Sequence, residues 1–242
     1  MTSKTYLITG GTTGIGFAVA KSLRKEGYNI IITGQNPQRV SAAASEIGSI
    51  GYVADSQDLG QIAKLAADLA NDQIKLDGLV LNAGVFFPKP FMELTPDDFD
   101  LTMDINTKGP FFTLQKLAPI MNSQSSVVFV SSIAVHKAFP GCSVYAASKA
   151  AFEGICRVAN LELADKGIRI NSVQPGVTAT EIQGKAGMSD AEQSEFYETL
   201  KATPLGRVMT AQDQVGAIQF LLSDHSLALR NAVIEVAGGQ TL

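Results

Sequence analysis

The chain has 242 residues, of which 45% are hydrophobic and 17% are charged, and its formal net charge is -4. This composition supports an ordinary buried core and excludes a disordered chain. Acidic and basic residues are interleaved, so there is no basic stripe of the kind that nucleic-acid-binding proteins present. No apolar run approaches the ~20 residues of a membrane span. We therefore expect neither nucleic acid nor membrane as a partner.

The cysteine and histidine content excludes two further classes. Two cysteines, Cys142 and Cys156, give no disulfide framework, and two histidines make a zinc site improbable, so we predict buried thiols and no metal. The N-terminal segment enters a strand-like run directly, without the longer apolar region and cleavage site of a signal peptide. The expected compartment is the cytoplasm.

Short apolar runs alternate with longer amphipathic stretches along the whole chain. We predict strands at residues 6–9, 29–33, 51–54, 79–81, 127–130, 168–173 and 232–236. We predict helices at residues 15–26, 37–47, 59–72, 97–103, 109–121, 144–165 and 210–222. Such alternation builds a parallel sheet with helices on both faces. The predicted fold is α/β, a Rossmann-like doubly wound parallel sheet of about seven strands, in one domain spanning residues 1–242.

Turn and cap residues define several of the predicted boundaries. Thr95 is expected to cap a helix in which Pro96 is the first helical residue. Gly48 is expected to end the helix at residues 37–47. Ser143 is a candidate N-cap for the long helix at 144–165. These residues are typical of helix ends because they satisfy backbone groups that have no partner within the helix.

Residues 178–203 interrupt the alternation of strands and helices. The segment is polar, and Ser189 with Glu192 forms a capping box that predicts a short helix. A helical insertion at this position is expected to act as a small substrate lid. An ordinary long connection is the alternative.

A glycine-rich loop joins the first strand to the first helix. Its glycines allow the backbone to turn tightly and to approach a pyrophosphate, and the helix start offers free N–H groups. The spacing is GxxxGxG, which differs from the general GxGxxG fingerprint. We predict that this loop binds a dinucleotide through Gly10, Thr12, Thr13, Gly14, Ile15 and Gly16.

The end of the second strand indicates which dinucleotide binds. A carboxylate at this position would hold the ribose diol of NAD and repel a 2′-phosphate. The sequence has no acidic residue there, and Gln35, Asn36 and Arg39 are able to hydrogen-bond a phosphate. The prediction is that NADP(H) is favoured over NAD(H).

Two further positions after strands are candidate cofactor contacts. Asp55 follows the third strand and either accepts a hydrogen bond from the adenine amino group or caps the next helix. Asn82, Ala83 and Gly84 follow the fourth strand, at the edge of the sheet where ligands bind in such folds. The small residues allow a ribose to approach closely, and Asn82 is also able to link neighbouring strands.

Ser132, Tyr145 and Lys149 are the candidate catalytic residues. Tyr145 and Lys149 are four residues apart, which places them on one face of the predicted helix. A free tyrosine has a pKa of about 10, and a nearby ammonium group lowers that pKa. Ser132 is able to donate to a developing oxyanion. A solvated helix face is the usual explanation for a single Tyr/Lys pair, but this pair follows a glycine loop and an Asn-Ala-Gly segment.

Together these motifs resemble the short-chain dehydrogenase/reductase family, in its single-domain, 3-oxoacyl-carrier-protein reductase-like ketoreductase branch. The resemblance extends over essentially the whole chain and includes the TGxxxGxG loop at 9–16, the Asn-Ala-Gly segment, Asn106, the YxxxK pair and the Pro-Gly at 175–176. The YxxxK spacing argues against the enoyl reductase branch, whose pair is more widely spaced. The chain departs from the family where Gln35 replaces a common arginine and Ala237 a common aspartate.

The resemblance implies the roles of several residues. It implies a catalytic tetrad of Asn106, Ser132, Tyr145 and Lys149, with the last two also contacting the cofactor. It implies that the nicotinamide is embraced by Pro175, Gly176, Val177, Thr178 and Thr180. It also implies a homotetramer built on the helices near 109–121 and 144–165, with the last strand and the tail adding a second interface.

The expected reaction is NADP(H)-dependent reduction of a ketone or aldehyde, reversible to alcohol oxidation, with Tyr145 as acid and base. An NAD-dependent alcohol or polyol dehydrogenase and a non-catalytic dinucleotide-sensing protein are the alternatives. The predicted substrate pocket is largely apolar, which favours a small hydrophobic carbonyl or alcohol substrate. Its members are Phe86, Val135, His136, Phe139, Cys142, Met188 and Phe196.

Overall fold

Seven parallel strands form the central sheet of the computed structural model, which describes residues 3–242. The first two residues of the predicted domain, Met1 and Thr2, lie outside the described residues. The strands are β1 Thr5–Ile8, β2 Asn29–Gly34, β3 Ile50–Val53, β4 Leu76–Leu81, β5 Met121–Val130, β6 Arg169–Pro175, β7 Thr178–Ala179, β8 Met209–Thr210 and β9 Val233–Val236. The sheet order is β3-β2-β1-β4-β5-β6-β9, and β7 pairs with β8 alone. The predicted Rossmann-like doubly wound parallel sheet is confirmed.

Helices connect the strands and cover both faces of this sheet. They are α1 Gly14–Lys25, α2 Pro37–Ile47, α3 Leu59–Asn71, α4 Pro96–Met103, α5 Gly109–Leu117, α6 Ser143–Glu162, α7 Glu181–Lys185, α8 Asp190–Thr199 and α9 Ala211–Leu222. None of the helices within residues 3–242 is long and apolar enough to cross a membrane.

Alternating side chains along each strand build two apolar layers. In β1, Ile8 packs with α1, α2 and α9, whereas Leu7 packs in the layer of α3, α5 and α6. Successive strand residues point to opposite faces, so an apolar run in a central strand supplies both layers. Burying each such side chain contributes about 1.5–3 kcal/mol. This double layer fixes the carboxyl ends of the strands in one row.

The region between α4 and β5 differs from the sequence prediction. The predicted helix at 109–121 ends at Leu117, because Pro119 in the following 3-10 turn has no N–H to donate. The predicted strand at 127–130 begins earlier, at Met121. Residues 104–108, left unassigned by the sequence pattern, form a π-helical turn that joins α4 to α5. Pro110 cannot donate to the Asn106 carbonyl four residues earlier, which favours this wider turn.

The predicted caps are largely confirmed. Thr95 accepts a hydrogen bond from Asp98 N at 3.2 Å, and Gly48 ends α2 in the left-handed conformation with φ of 72°. The Ser189–Glu192 capping box begins α8 within the 178–203 segment. The prediction for Ser143 is wrong, because Cys142 occupies the N-cap position and Ser143 is the first helical residue.

Candidate active site

A cleft of about 560 Å³ lies at the carboxyl ends of β1, β4, β5 and β6. Ligands of open parallel sheets bind at this edge. The predicted cofactor-binding residues that line it are Gly10, Thr12, Thr13, Gly14, Ile15, Gln35, Asp55, Asn82, Ala83, Gly84, Tyr145, Lys149, Pro175, Gly176, Val177, Thr178 and Thr180. Two predicted members, Gly16 and Asn36, lie outside the lining. The predicted residues therefore converge from six separate segments of the chain.

The glycine loop forms a cradle at one end of this cleft. Gly10 and Gly14 have φ of 62° and 57°, a conformation that glycine adopts without strain. A Cβ at Gly10 would lie 3.0 Å from Asn82 Nδ2, so the cradle has no room for a side chain there. The N-cap residue Thr13 is extended and makes no side-chain cap bond, which leaves the first N–H groups of α1 available. This cradle fits the pyrophosphate of a dinucleotide.

Gly16 acts in packing rather than in lining the cleft. A Cβ at this position would lie 2.5 Å from Asn82 Nδ2 and 2.6 Å from Gly10 O. The absence of a side chain therefore allows α1 to approach the end of β4. The contact of Gly16 with the cofactor stays a prediction, and the structure shows its role in packing.

Asn82 and Thr9 join the ends of β1 and β4. Asn82 Nδ2 donates to Thr9 O at 2.9 Å and to Gly10 O at 3.1 Å. Thr9 Oγ1 accepts from Asn82 N and Ala83 N, each at 3.0 Å. The predicted strand-linking role of Asn82 is thus present in the structure, and these bonds hold the floor of the cradle.

The polar residues after β2 have divided roles. Gln35 lines the cleft, but Asn36 Oδ1 accepts from Arg39 N at 2.9 Å and caps α2. The Arg39 guanidinium pairs with Glu181 of α7, and Lys185 Nζ lies 3.3 Å from the same carboxylate. Hydrogen bonding to Arg39, and secondarily to Lys185, lowers the pKa of Glu181. Asn36 therefore caps α2, and the Arg39 guanidinium is paired with the Glu181 carboxylate.

Asp55 lines the cleft and does not cap α3. Asp58 holds the N-cap position, where its Oδ1 accepts from Gly60 N at 2.8 Å. Asp55 Oδ1 instead accepts from Gln57 N at 3.0 Å. Of the two interpretations of Asp55, the helix cap is wrong, and the cleft position agrees with a ligand contact.

Ser132, Tyr145 and Lys149 come together in the cleft. Ser132 follows β5, and its Oγ accepts from Ala134 N at 3.1 Å. Tyr145 lies in the first turn of α6 and packs edge-on against Phe86, with ring centroids 5.0 Å apart. Lys149 Nζ donates to Val130 O at 2.9 Å and lies 5.9 Å from the centroid of the Tyr145 ring. The helix thus brings the phenol and the ammonium group to the end of β5.

Burial shifts the pKa values of both titratable members of this group. It raises the pKa of Tyr145 to about 12, although a hydrogen bond with Ser132 acts in the opposite direction. Burial also lowers the pKa of Lys149 to about 8, against the attraction of Glu153. The sequence led us to expect a Tyr145 pKa lowered by Lys149, whereas burial raises this pKa in the structure. Desolvation is the largest effect on the phenol, and the Lys149 ammonium group donates its hydrogen bond to Val130 O.

Asn106 is fully buried behind the cleft, in the π-helical turn. Its Oδ1 accepts from Val85 N at 2.8 Å, and its Nδ2 donates to Val85 O at 2.9 Å and to Ser148 Oγ at 3.1 Å. A Cβ at Gly84 would lie 3.1 Å from Asn106 Oδ1 and 3.2 Å from Lys149 Nζ. Asn106 is therefore close to the catalytic candidates but supports them from outside the lining.

The predicted substrate residues divide into two groups. Phe86, Phe139, Cys142, Met188 and Phe196 line the cleft. Val135 and His136 lie outside this lining, and their contact with a substrate stays a prediction. His136 Nε2 lies 3.0 Å from Glu235 Oε2, in the last strand, so this side chain is turned towards β9. The contact spans 99 residues and has no local signal in the sequence.

Two residues that the sequence did not single out also belong to the site. Glu181 lines the cleft and directly follows the predicted contact Thr180, a position from which an acidic residue could have been noticed. Ser148 accepts from Asn106 and donates to Tyr145 O at 2.7 Å. Ser148 lies between Tyr145 and Lys149 on α6, but the sequence does not show that it contacts Asn106.

A comparison with protein families finds one match that spans nearly all of the chain. The family profile is described as "Enoyl-(Acyl carrier protein) reductase", and it matches residues 10–241. The matched range contains the glycine loop, the Tyr145–Lys149 pair and the Pro-Gly segment at 175–176. The range also includes every residue that lines the cleft.

Individual relatives agree with the family match. "Dehydrogenase/reductase SDR family member 4" of Homo sapiens is 31% identical over 251 residues, covering 99% of this chain and 88% of that protein. "3-oxoacyl-[acyl-carrier-protein] reductase FabG" of Rickettsia felis is 31% identical over 249 residues, covering 100% and 98%. The crystal structure titled "BdcA in complex with NADPH" superposes with a TM-score of 0.86 at 25% identity, covering 99% and 95%.

Proposed function

The chain belongs to the short-chain dehydrogenase/reductase family of oxidoreductase enzymes, and we propose that this member reduces a small hydrophobic ketone or aldehyde with NADP(H). The reverse reaction oxidises the corresponding alcohol. The observation that carries the proposal is the meeting of Ser132, Tyr145 and Lys149 in the cleft that also contains the glycine cradle. Proton donors and a dinucleotide site in one cleft are what carbonyl reduction requires.

The cofactor is expected to extend along the cleft from the adenosine end at Asp55 to the nicotinamide end at residues 175–180. The α1 N-terminus and Gly10 to Gly14 would hold the pyrophosphate, and Asp55 would accept from the adenine amino group. When bound, the nicotinamide supplies the hydride for the carbonyl carbon or takes it from the alcohol. The chain orients this exchange and excludes water from it.

Tyr145 acts as the proton donor in the reduction. Because its pKa is about 12 in the buried cleft, the phenol remains protonated at neutral pH and is ready to donate. Ser132 donates a hydrogen bond to the substrate oxygen as negative charge develops on it. Lys149, with a pKa of about 8, retains most of its charge at neutral pH and would hold a ribose hydroxyl of the bound cofactor. Asn106 keeps the backbone beside Lys149 in place through Val85.

The preference for NADP(H) rests on the charge at the end of β2. Gln35 lines the cleft where a carboxylate would repel a 2′-phosphate. Arg39 follows Gln35 in the first turn of α2, and its guanidinium pairs with the cleft-lining Glu181. The relative whose structure is titled as an NADPH complex adds a precedent within the fold.

An NAD-dependent alcohol or polyol dehydrogenase is the second candidate, and one observation favours it. Glu181 lines the cleft and neutralises Arg39, so the acid missing from β2 is partly replaced by one from α7. Through its pair with Arg39, which lies in the segment after β2, this carboxylate disfavours a 2′-phosphate by like-charge repulsion. A non-catalytic dinucleotide-sensing protein is the third candidate, and the presence of Ser132, Tyr145 and Lys149 argues against it.

The substrate end of the cleft favours an apolar molecule. Phe86, Phe139, Cys142, Met188 and Phe196 present mainly hydrocarbon and sulfur surface to it. The four-residue spacing of Tyr145 and Lys149 supports carbonyl reduction over enoyl reduction, despite the description of the family profile. We propose a free small molecule as substrate. A carrier protein would require a basic patch at the cleft mouth, and we expect only Lys89, Lys137 and Lys185 near it.

A panel of ketones, aldehydes and alcohols tested with NADPH, NADH and their oxidised forms would test this function. Turnover is followed at the nicotinamide absorbance. The expected result is reduction of hydrophobic ketones with NADPH as the better cofactor. Activity confined to NAD and polyols would support the second candidate. Tight dinucleotide binding without turnover of any substrate would support the third.

We further propose that residues 1–242 form one domain in which the 178–203 segment is the substrate lid. Its residues Met188 and Phe196 line the substrate end of the cleft.

We propose a homotetramer, supported by the apolar side chains of Phe111, Val158 and Leu161 on α5 and α6, which are 38%, 54% and 79% exposed. The free thiols of Cys142 and Cys156 fit the proposed cytoplasmic location.

A further inference from the structure

Gln240, the third residue from the C-terminal end of the sequence, forms hydrogen bonds with the backbone of a cleft-lining segment. The side chain is buried, with 6% of its surface exposed. Its Oε1 accepts from Val177 N at 2.8 Å, and its Nε2 lies 3.5 Å from Val177 O. A Cβ at Gly176 would lie 2.8 Å from the same Oε1. One carboxamide therefore pairs with one residue of the backbone that lines the cleft.

The backbone around Gln240 is itself held from two sides. Lys137, in the loop between Ser132 and α6, donates to Gln240 O. Leu205 N, beyond the proposed lid, donates to Gly238 O at 3.1 Å. Gly239 has φ of 79°, and a Cβ there would lie 2.6 Å from Pro204. The tail thus has little freedom to move, and the Gln240 side chain extends from a fixed base.

We propose that Gln240 is a positioning residue that sets the orientation of the Val177 peptide at the nicotinamide end of the cleft. The inference rests on the proposed function, because it assigns Val177 to the nicotinamide end. The Val177 N–H is partly buried beside the Gln240 carboxamide, and an N–H that is shielded from water and left without an acceptor is destabilised. Removing the carboxamide therefore favours rotation of this peptide. That rotation would displace the wall of the cleft without touching the adenosine end.

The test compares binding of a whole dinucleotide with binding of its adenosine half. Calorimetry first identifies whether NADPH or NADH binds the wild type more tightly. The matched probe is then 2′,5′-ADP or 5′-AMP, which lacks the nicotinamide. Gln240→Met removes both polar atoms at nearly constant volume, and the exposed Gln212 on α9 provides the control Gln212→Met.

We expect Gln240→Met to weaken binding of the whole dinucleotide at least tenfold and to change binding of the adenosine half less than twofold. Gln240→Glu retains an acceptor for Val177 N, so a smaller loss is expected that shrinks as the pH falls and the carboxyl becomes protonated. Equal losses for both probes, or no loss for either, would overturn the inference. If Gln240→Met fails to fold, the comparison is decided by Gln240→Glu alone. A wild type that binds neither dinucleotide would refute the proposed function instead.

Discussion

The carboxamide of Asn106 pairs with the backbone of Val85 through two hydrogen bonds, 2.8 Å from Val85 N to Oδ1 and 2.9 Å from Nδ2 to Val85 O. The same Nδ2 reaches Ser148 Oγ on α6 at 3.1 Å. Asn106 therefore connects the segment after β4 to the helix that carries Tyr145 and Lys149. The buried amide satisfies both backbone groups of Val85, which lies in the irregular segment after β4.

Replacing Asn106 by aspartate tests this connection. The acceptor for Val85 N is kept, but Val85 O and Ser148 Oγ lose their donor, and a carboxylate enters a fully buried site. We expect the free energy of unfolding to fall by about 1–3 kcal/mol or more. Urea denaturation measures the change, with Asn231→Asp at an exposed position as control. Equal stabilities of the two variants would show that the pairing contributes little.

Tyr145→Phe tests the assignment of the proton donor. The variant keeps the ring that packs against Phe86 and loses only the hydroxyl. General acid catalysis contributes about 10²–10⁴-fold, and we expect turnover to fall by that factor with cofactor affinity nearly unchanged. Tyr52→Phe, whose hydroxyl contacts Asp72 away from the cleft, is the matched control. Turnover retained by Tyr145→Phe would refute the mechanism.

The pH dependence of the two directions should have opposite signs. Tyr145, with a pKa of about 12, is protonated across the accessible range, as reduction requires. Lys149 loses its proton as the pH rises through about 8, so the reductive kcat/KM should be level below that pH and decline above it. Oxidation needs Tyr145 to accept a proton and should accelerate as the pH rises. Lys149→Arg keeps the charge, so its reductive profile should lack the decline near pH 8, whatever its absolute rate.

Local patterns predicted most of the framework because the physics that they report is local. The apolar strand cores, the Thr95 cap and the Gly48 stop each depend on a few adjacent residues. The beginning of β5 was missed because Gln124, Ser125 and Ser126 lack an apolar pattern. Ser126 is nevertheless buried, with Oγ donating to Leu221 O at 2.7 Å. Because the hydrogen-bond acceptor lies 95 residues away, the nearby sequence does not indicate that this hydroxyl is buried and satisfied.

The site was predicted in the same uneven way. Residue types at strand ends gave most of the cleft lining, because the ends of parallel strands share one edge. Long-range pairings could not be predicted, and they redirect individual side chains. His136 turns to Glu235, and Arg39 turns to Glu181. The pKa of Tyr145 was likewise mispredicted, since sequence spacing shows a neighbouring ammonium but not the desolvation of the cleft.

The close approach of α1 to the end of β4 gives a prediction with an internal control. Gly16→Ala places a Cβ 2.5 Å from Asn82 Nδ2, so either α1 or the Asn82 side chain must move. We expect a loss of several kcal/mol in stability or at least a tenfold loss of dinucleotide affinity. Gly216→Ala introduces the same group on the exposed face of α9, where it meets nothing within 4 Å. That variant should be stabilised by about 0.5–1 kcal/mol, as chemical denaturation would measure.

The ion pair of Arg39 and Glu181 leads to a prediction about cofactor choice. Glu181 holds the guanidinium that the proposed 2′-phosphate would use, and its own charge opposes that phosphate. Glu181→Gln should therefore raise the ratio of NADPH to NADH affinity about tenfold, equivalent to about 1.4 kcal/mol. Arg39→Gln should lower the same ratio by a similar factor. Direct titration of both dinucleotides measures the ratio. The control for net charge is Glu198→Gln, which removes an exposed carboxylate paired with Lys201. A ratio that falls in Glu181→Gln would mean that Arg39 does not act on the 2′-phosphate and would favour the NAD-dependent alternative.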